Sequence, residues 1–273
     1  MIGFHVNRDY VKKGTIEQNI EAAKRKFGLK QLKVVQIFLG SPRTFKISLD
    51  EETEKSLNVF SKHQGIRIYA HAPYPMIIFS SAVKPSTLGF TKHFFNVAAR
   101  AGVFGVVIHL YKYPRNTVID RLKQLNLNPA VKVMLETPAI SPMHAIYNNP
   151  KELYEVYSDA KKAGINVGIC VDTCHIYVSG ADISDPEIMR NYMTELVKLI
   201  DPNDLLIHLN DSASTLGSGK DHHASLGRGH IWGKSKESLS ILLDFIQRYG
   251  IGTILERNEG NGSIEHDYGV IME

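Results

Sequence analysis

A chain of 273 residues, 43% hydrophobic and 22% charged, has enough apolar residues for a sizeable core, which excludes a disordered or fibrous chain. The formal charge of +4 is mild, so it permits a polyanionic partner without demonstrating one. No run approaches the ~18 apolar residues of a membrane span, and MIGFHVNRDYVKK lacks the basic start and long apolar stretch of a secretory signal. The expected setting is therefore intracellular, cytoplasmic or nuclear, with no membrane partner and no secretion.

Along the chain one pattern recurs, a short run rich in Val and Ile followed by an amphipathic stretch. The first run is IGFHV (2–6). Thr15-Ile16-Glu17-Gln18 then has the form of a capping box, and Gly28 stands where the helix it opens would end. The basic stretch from Lys24 to Lys33 reads as the solvated end of that helix plus a loop. VVQIFL (34–39), RIYAHA (67–72), FGVVIHL (104–110) and VKVMLET (131–137) follow. Asn149-Pro150 fits an N-cap with Pro at the first helical position, and Leu153, Val156, Tyr157 and Ala160 repeat at helical spacing up to Gly164. VGICVDT (167–173) and LLIHLND (205–211) come next. Ser235 is placed to cap a last helix through Leu239, Leu242, Leu243 and Ile246, and GTILER (252–257) is the eighth run.

Runs this short and this apolar read as strands buried on both faces, as parallel sheets require. Eight of them alternating with helices predict an α/β fold, a closed (β/α)₈ TIM barrel forming one domain over residues 1–273. A doubly wound open sheet is the alternative, but no Gly-rich nucleotide fingerprint follows any run. The two cysteines, Cys170 and Cys174, sit in GICVDTC, which reads as a strand. Four residues apart on a strand they lie beyond disulfide reach, and they are taken as small core or rim residues in a reducing compartment.

The ends of the runs carry the chemistry. His71, His109, Glu136, Asp172, His208 and Glu256 each stand late in an apolar run, with His175 just beyond Asp172. In a barrel these ends converge on the C-terminal rim, where active sites of this fold sit. A buried carboxylate or imidazole without a partner is costly. One could be satisfied by a hydrogen bond, but the same placement on six strands calls for a common explanation, and bound cations supply one. The loop DHHASLGRG adds Asp221 and His223, two apart. Five imidazoles and four carboxylates suit Zn²⁺, with Mn²⁺ or Fe²⁺ as substitutes, and are too many for one four-coordinate ion. Taken singly, His109 reads as a satisfied rim histidine and His175 as a helix cap; the set of nine reads as a ligand constellation.

In chain order YAHAPY, VVIHL, VMLET, GICVDTCH, HLND, the DHHASLGRG loop and ILERN resemble the endonuclease IV family of apurinic/apyrimidinic (AP) endonucleases, on the xylose isomerase-like barrel. The wording of the last two is nearest to the branch carried by large DNA viruses. The resemblance implies three zinc ions: His71, His109 and Glu136 for the first; Glu136, bridging, with Asp172, His208 and Glu256 for the second; His175, Asp221 and His223 for the third. It implies a zinc-activated hydroxide next to Glu136 and Glu256, the residues assigned to catalysis, and hydrolysis 5′ to an abasic site of double-stranded DNA in base-excision repair. The products carry a 3′-hydroxyl and a 5′-deoxyribose phosphate, with trimming of blocked 3′ ends as a second activity. It implies a monomer that turns the abasic nucleotide out of the stack, with Arg43 and Tyr74 entering the DNA.

The sequence departs from the family at His222, where Arg is usual, at Pro75, where a Leu-like residue is usual, and in PMIIFSS, which lacks the usual Asn. The stretch after Glu256 is short, which predicts a truncated or irregular final helix. Two other functions compete. A metal-dependent sugar isomerase shares the barrel but uses fewer histidines and has no role for the late D-x-H loop. A non-catalytic binder of damaged DNA would be expected to have lost a bridging ligand. His5, His63, His93, His144, His230 and His266 receive no role, and Trp232 is read as packing rather than stacking on DNA.

Overall fold

A computed structural model describes residues 1–6, 11–29, 31–256 and 264–272. Lys30 of the basic stretch, Arg257 of the eighth run and Asn258 of ILERN lie outside them. The eight apolar runs form eight strands: β1 (Ile2–Phe4), β2 (Val34–Ile37), β3 (Arg67–His71), β4 (Gly105–His109), β5 (Lys132–Glu136), β6 (Val167–Asp172), β7 (Leu205–His208) and, after a two-stranded hairpin of β8 (Asp211–Ser212) and β9 (His223–Ala224), β10 (Gly252–Leu255). All pairings among the eight are parallel, in the order β1-β10-β7-β6-β5-β4-β3-β2. The ends of that order meet through a parallel bridge between His5 and Gln36, where Val6 N–H donates to the Gln36 carbonyl (2.8 Å). Gly3 allows the seam, because a Cβ there would lie 1.7 Å from the Val34 carbonyl oxygen. The sheet thus closes into a (β/α)₈ barrel.

Alternation along each strand divides the core in two. Val34, Tyr69, Val107, Met134, Cys170, Leu206 and Ile254 face inward and fill the barrel. Their neighbours, among them Val35, Ile68, Val106, Val133, Ile169 and Ile207, face outward into a larger core shared with the helices.

The helices form where their caps place them. Thr15 closes a capping box on α1 (Ile16–Lys26): Gln18 N–H donates to the Thr15 hydroxyl (3.3 Å) and Thr15 N–H to the Gln18 side chain (3.0 Å). Gly28 follows the C-cap with φ +64°, as the sequence predicts. Asn149 caps α5 (Pro150–Lys162) through Glu152 N–H (3.1 Å), and Leu153, Val156 and Ala160 are its buried face. Helices α2 (Glu51–Gln64), α3 (Pro85–Arg100), α4 (Arg115–Leu125) and α7 (Pro186–Leu199) complete the same layer.

Two local expectations are corrected. The sixth strand stops at Asp172, and Cys174 lies in a short helix, α6 (Thr173–Val178), because the Asp172 side chain accepts from His175 N–H (3.0 Å) and caps it. Ser235 does not cap α8 (Glu237–Tyr249): Lys236 holds the cap position without a side-chain bond, and the Ser235 hydroxyl accepts from Glu237 N–H (3.2 Å) in a local turn. The C-terminal stretch forms a short helix, α9 (Ile264–Met272). Trp232 packs as expected, buried with its indole N–H on the Ser238 hydroxyl (2.9 Å). No helix among the described residues is long and apolar enough to cross a membrane.

Candidate metal centre at the barrel rim

Two residues beyond each inward apolar residue the lumen turns polar. Val34 is followed by Gln36, Tyr69 by His71, Val107 by His109, Met134 by Glu136, Cys170 by Asp172, Leu206 by His208 and Ile254 by Glu256. The period of two that fills the barrel therefore also delivers these side chains to its C-terminal mouth. The register brings His109 level with Glu136 and Asp172 level with His208.

The side chains meet in three corners. In the first, His71 Nε2 and His109 Nε2 approach to 3.2 Å, with Glu136 Oε2 at 3.4 and 3.1 Å from them. In the second, His208 Nδ1 lies 2.8 Å from Glu136 Oε1, 3.1 Å from Glu256 Oε2 and 3.9 Å from Asp172 Oδ2. In the third, Asp221 lies between His175 Nε2 (3.1 Å, to Oδ2) and His223 Nε2 (3.0 Å, to Oδ1). Glu136 belongs to two corners, one oxygen in each. The nine residues read from the sequence are thus brought together, and each corner has the spacing of groups that could hold a metal ion.

Three of the polar atoms here make no hydrogen bond. Glu136 Oε2, His175 Nε2 and His223 Nε2 are buried without a hydrogen bond. Tautomers sharpen the point. A carbonyl only accepts, so His71 donates Nδ1–H to Ala72 O (2.7 Å) and His175 donates Nδ1–H to Thr137 O (2.8 Å). In each neutral ring the lone pair is then on Nε2, facing the other acceptors, which is the arrangement of metal-bound histidine.

Electrostatics agrees. Burial would pull His71, His175, His208 and His223 down, but the carboxylates around them outweigh it and raise all four, His175 and His208 well above the ordinary value. Burial wins only at His109, lowered to about 4. Burial likewise opposes ionisation of Glu136, Asp221 and Glu256, yet the imidazoles hold all three carboxyls below their usual range, whereas burial raises Asp172. Of the four carboxylates Glu136 and Asp172 are fully buried, so positive charge must come from protons on the rings or from cations. The donor set of imidazole nitrogens and carboxylate oxygens fits zinc. Burial pushes the Cys170 thiol up to about 12 and raises Cys174 as well; both lie close enough to rim residues to share in metal-holding groups, Cys170 with Glu136 and His208 and Cys174 with Asp172 and His223.

Asp221 and His223 reach the rim on the hairpin of β8 and β9. Asp211, buried beneath it, accepts from the N–H groups of Gly227 (3.0 Å), Gly229 (3.0 Å) and Ile231 (2.9 Å) and pins the loop. Gly229 is required there, since a Cβ would come within 2.3 Å of Asp211 Oδ1. His222, between the two loop residues, contacts the Ser214 hydroxyl through Nδ1 (3.3 Å). On the opposite side Tyr74 N–H donates to Pro42 O (2.8 Å), joining the loop of Tyr74 to the exposed loop of Arg43. Tyr74 is 51% exposed, and its ring lies 5.8 Å from His71 and 6.0 Å from Phe38. Pro75 is exposed next to it.

Several residues at the site escaped the sequence reading. Gln36 and His5 complete the polar layer on β2 and at the end of β1, and the period of two could have found both. Asn210 donates to Asp172 Oδ2 (2.7 Å), and Thr137 accepts from Asp172 N–H (2.9 Å); no local signal marks either. Tyr111 stacks on His109 (5.5 Å) from a left-handed backbone, φ +51°. A bulky residue held there carries about 1–3 kcal/mol of strain, of the kind that gathers at functional sites.

A closed parallel barrel whose C-terminal mouth holds histidines and carboxylates defines the xylose isomerase-like class. A sequence profile described as "Xylose isomerase-like TIM barrel" matches residues 29–244. A protein of African swine fever virus named "Probable AP endonuclease" is 30% identical over 242 residues, 84% of this chain and 80% of the relative. One of Mycobacterium bovis named "Probable endonuclease 4" is 31% identical over 210 residues, 72% of this chain and 76% of the relative. The crystal structure of AsfvAP:AG superposes with a TM-score of 0.88 at 26% identity, covering 100% of this chain and 96% of that one. Endonuclease IV from Thermus thermophilus shares the fold, with a TM-score of 0.79 at 22% identity over 99% of this chain and 97% of that one. The chain belongs to the endonuclease IV family of AP endonucleases.

Proposed function

We propose that this protein is an AP endonuclease of base-excision repair. It hydrolyses the phosphodiester on the 5′ side of an abasic site in double-stranded DNA, leaving a 3′-hydroxyl and a 5′-deoxyribose phosphate, and it trims blocked 3′ ends as a second activity. The observation that supports this reading is the rim itself: Glu136 Oε2, His175 Nε2 and His223 Nε2 are buried without a hydrogen bond, among imidazoles and carboxylates spaced to hold metal ions.

His71, His109 and Glu136 would hold one zinc ion; Glu136, Asp172, His208 and Glu256 a second; His175, Asp221 and His223 a third. Bound zinc supplies a water nucleophile at neutral pH and offsets the charge that grows on the phosphate. The protein's own part is placement. Glu136 directs one oxygen to each of two corners and keeps them adjacent. Asp211 fixes the hairpin that closes the third. The joined loops of Arg43 and Tyr74 stand beside the first corner, where an aromatic ring and a guanidinium can replace stacking around an extruded abasic nucleotide. The reading includes one catalytic domain over residues 1–273, acting as a monomer in an intracellular compartment.

The test is incision of a labelled duplex carrying one tetrahydrofuran abasic analogue, which cannot undergo β-elimination. A single cut on its 5′ side, lost after chelation and restored by zinc, is expected. Intact duplex after incubation with protein shown to contain zinc would rule the nuclease out and direct attention to sugar substrates.

A further inference from the structure

Gln36 is fully buried, points into the barrel, and contacts the second corner with both ends of its amide. Its Nε2 lies 2.5 Å from Glu256 Oε1, and its Oε1 lies 2.9 Å from His208 Nε2. A carboxylate oxygen only accepts, so the NH₂ end must be the one facing Glu256. That leaves the carbonyl end facing His208, and a carbonyl in turn requires a hydrogen on His208 Nε2. The remaining nitrogen, Nδ1, is the one between Glu136 and Glu256. The same NH₂ end faces His5 Nδ1 at 3.2 Å, so one orientation of the amide serves both neighbours.

We infer that Gln36 is a positioning residue for the His208–Glu256 corner: it fixes the His208 tautomer that offers Nδ1 to a metal ion and holds Glu256 beside it. The inference rests on the metal-dependent reading above. His71 and His175 have their tautomers set by backbone carbonyls, which any sequence supplies. His208 uses a side chain on β2 for the same purpose, so its tautomer, unlike those of His71 and His175, can be altered by one substitution that leaves every ligand in place.

Gln36→Met keeps the volume and removes both hydrogen bonds. Zinc retention measured by chelator competition is expected to weaken ten- to a hundredfold, the usual cost of losing a partner behind a metal ligand. Melting of the metal-free protein should move little, whereas a purely structural role would lower melting and leave zinc retention alone. A second measurement needs no variant: nitrogen-15 spectra of the zinc-loaded protein should show His208 protonated on Nε2. Zinc retention in Gln36→Met equal to that of the parent, or a His208 proton on Nδ1, would overturn the inference while leaving the metal reading standing. A parent protein that binds no zinc would overturn both.

Discussion

The two ends of this barrel share one lumen and are both charged, yet they are built in opposite ways. At the base, Lys132 pairs with Asp204 and donates to Asn203 O (3.1 Å), Lys161 reaches the second Asp204 oxygen (2.7 Å), and the Tyr157 hydroxyl donates to it (2.8 Å). Arg67 and Lys132 lie against the Phe104 ring, 5.0 and 4.9 Å from its centre. There, cation and anion both belong to the chain and satisfy each other. At the rim the clustered groups are carboxylates and imidazoles, and among the described residues they lie against one another. Matched charges close one end as structure. On the proposed reading the other end is completed by ions from outside, which would separate a stabilising network from a reaction centre in the same fold.

Substitution at the rim should give the largest effect. Glu256→Gln is expected to lower incision about 10³-fold or more, the scale of losing a group that organises transition-state charge. Melting of the metal-free protein should fall at neutral pH, because His208 holds the Glu256 carboxyl below its usual range and loses that partner. Activity near that of the parent in a zinc-replete sample would show that the corner is assigned wrongly; steady-state incision and thermal melts decide.

At the base stability alone should fall. Asp204→Asn takes the carboxylate from half-buried Lys132 and is expected to cost about 1–3 kcal/mol in denaturant unfolding, with incision per folded molecule unchanged. The pH dependence follows from the same geometry. Burial opposes ionisation of Asp204, but hydrogen bonds from Lys132, Lys161 and Tyr157 outweigh it and hold the carboxyl below its usual range. A depressed folded value contributes stability that is present above the unfolded value of about 4 and is lost as pH falls through the folded one. The stability gap between parent and Asp204→Asn should therefore close below about pH 4. A gap that stays constant into acid would contradict the pairing.

Much of the rim was legible because two periods coincide. Apolar runs with alternating faces predict the strands, and the same alternation carries His71, His109, Glu136, Asp172, His208 and Glu256 to one mouth. Gln36 was missed because an amide has no obvious role as a ligand, although its position obeys the same rule. Asn210 and Thr137 were missed for a different reason: they act through contacts with Asp172 across strands, and strand spacing says nothing of cross-barrel distance. The end of the sixth strand was misjudged because Asp172 is both a strand residue and a helix cap, and local propensity does not reveal the second use.

The surrounding loops should give smaller effects that leave the metal centre alone. Tyr74→Ala is expected to raise KM for an abasic duplex about tenfold, in line with about 1–3 kcal/mol per stacked group, with kcat and zinc content little changed. A fall in zinc content would place Tyr74 in support of His71 instead. Arg43→Ala should be milder still, weakening DNA binding alike on intact and abasic duplexes and reducing the salt-dependence slope by about one. An unchanged slope would remove Arg43 from the DNA surface.

The contrast between the two ends is tested most directly by diffraction from zinc-loaded crystals, with data collected on both sides of the zinc absorption edge. The account predicts anomalous peaks in the three rim corners, among His71, His109 and Glu136, among Glu136, Asp172, His208 and Glu256, and among His175, Asp221 and His223, and none at Asp204. Zinc-loaded crystals with no peak at the rim, or with peaks only on the outer surface, would contradict it.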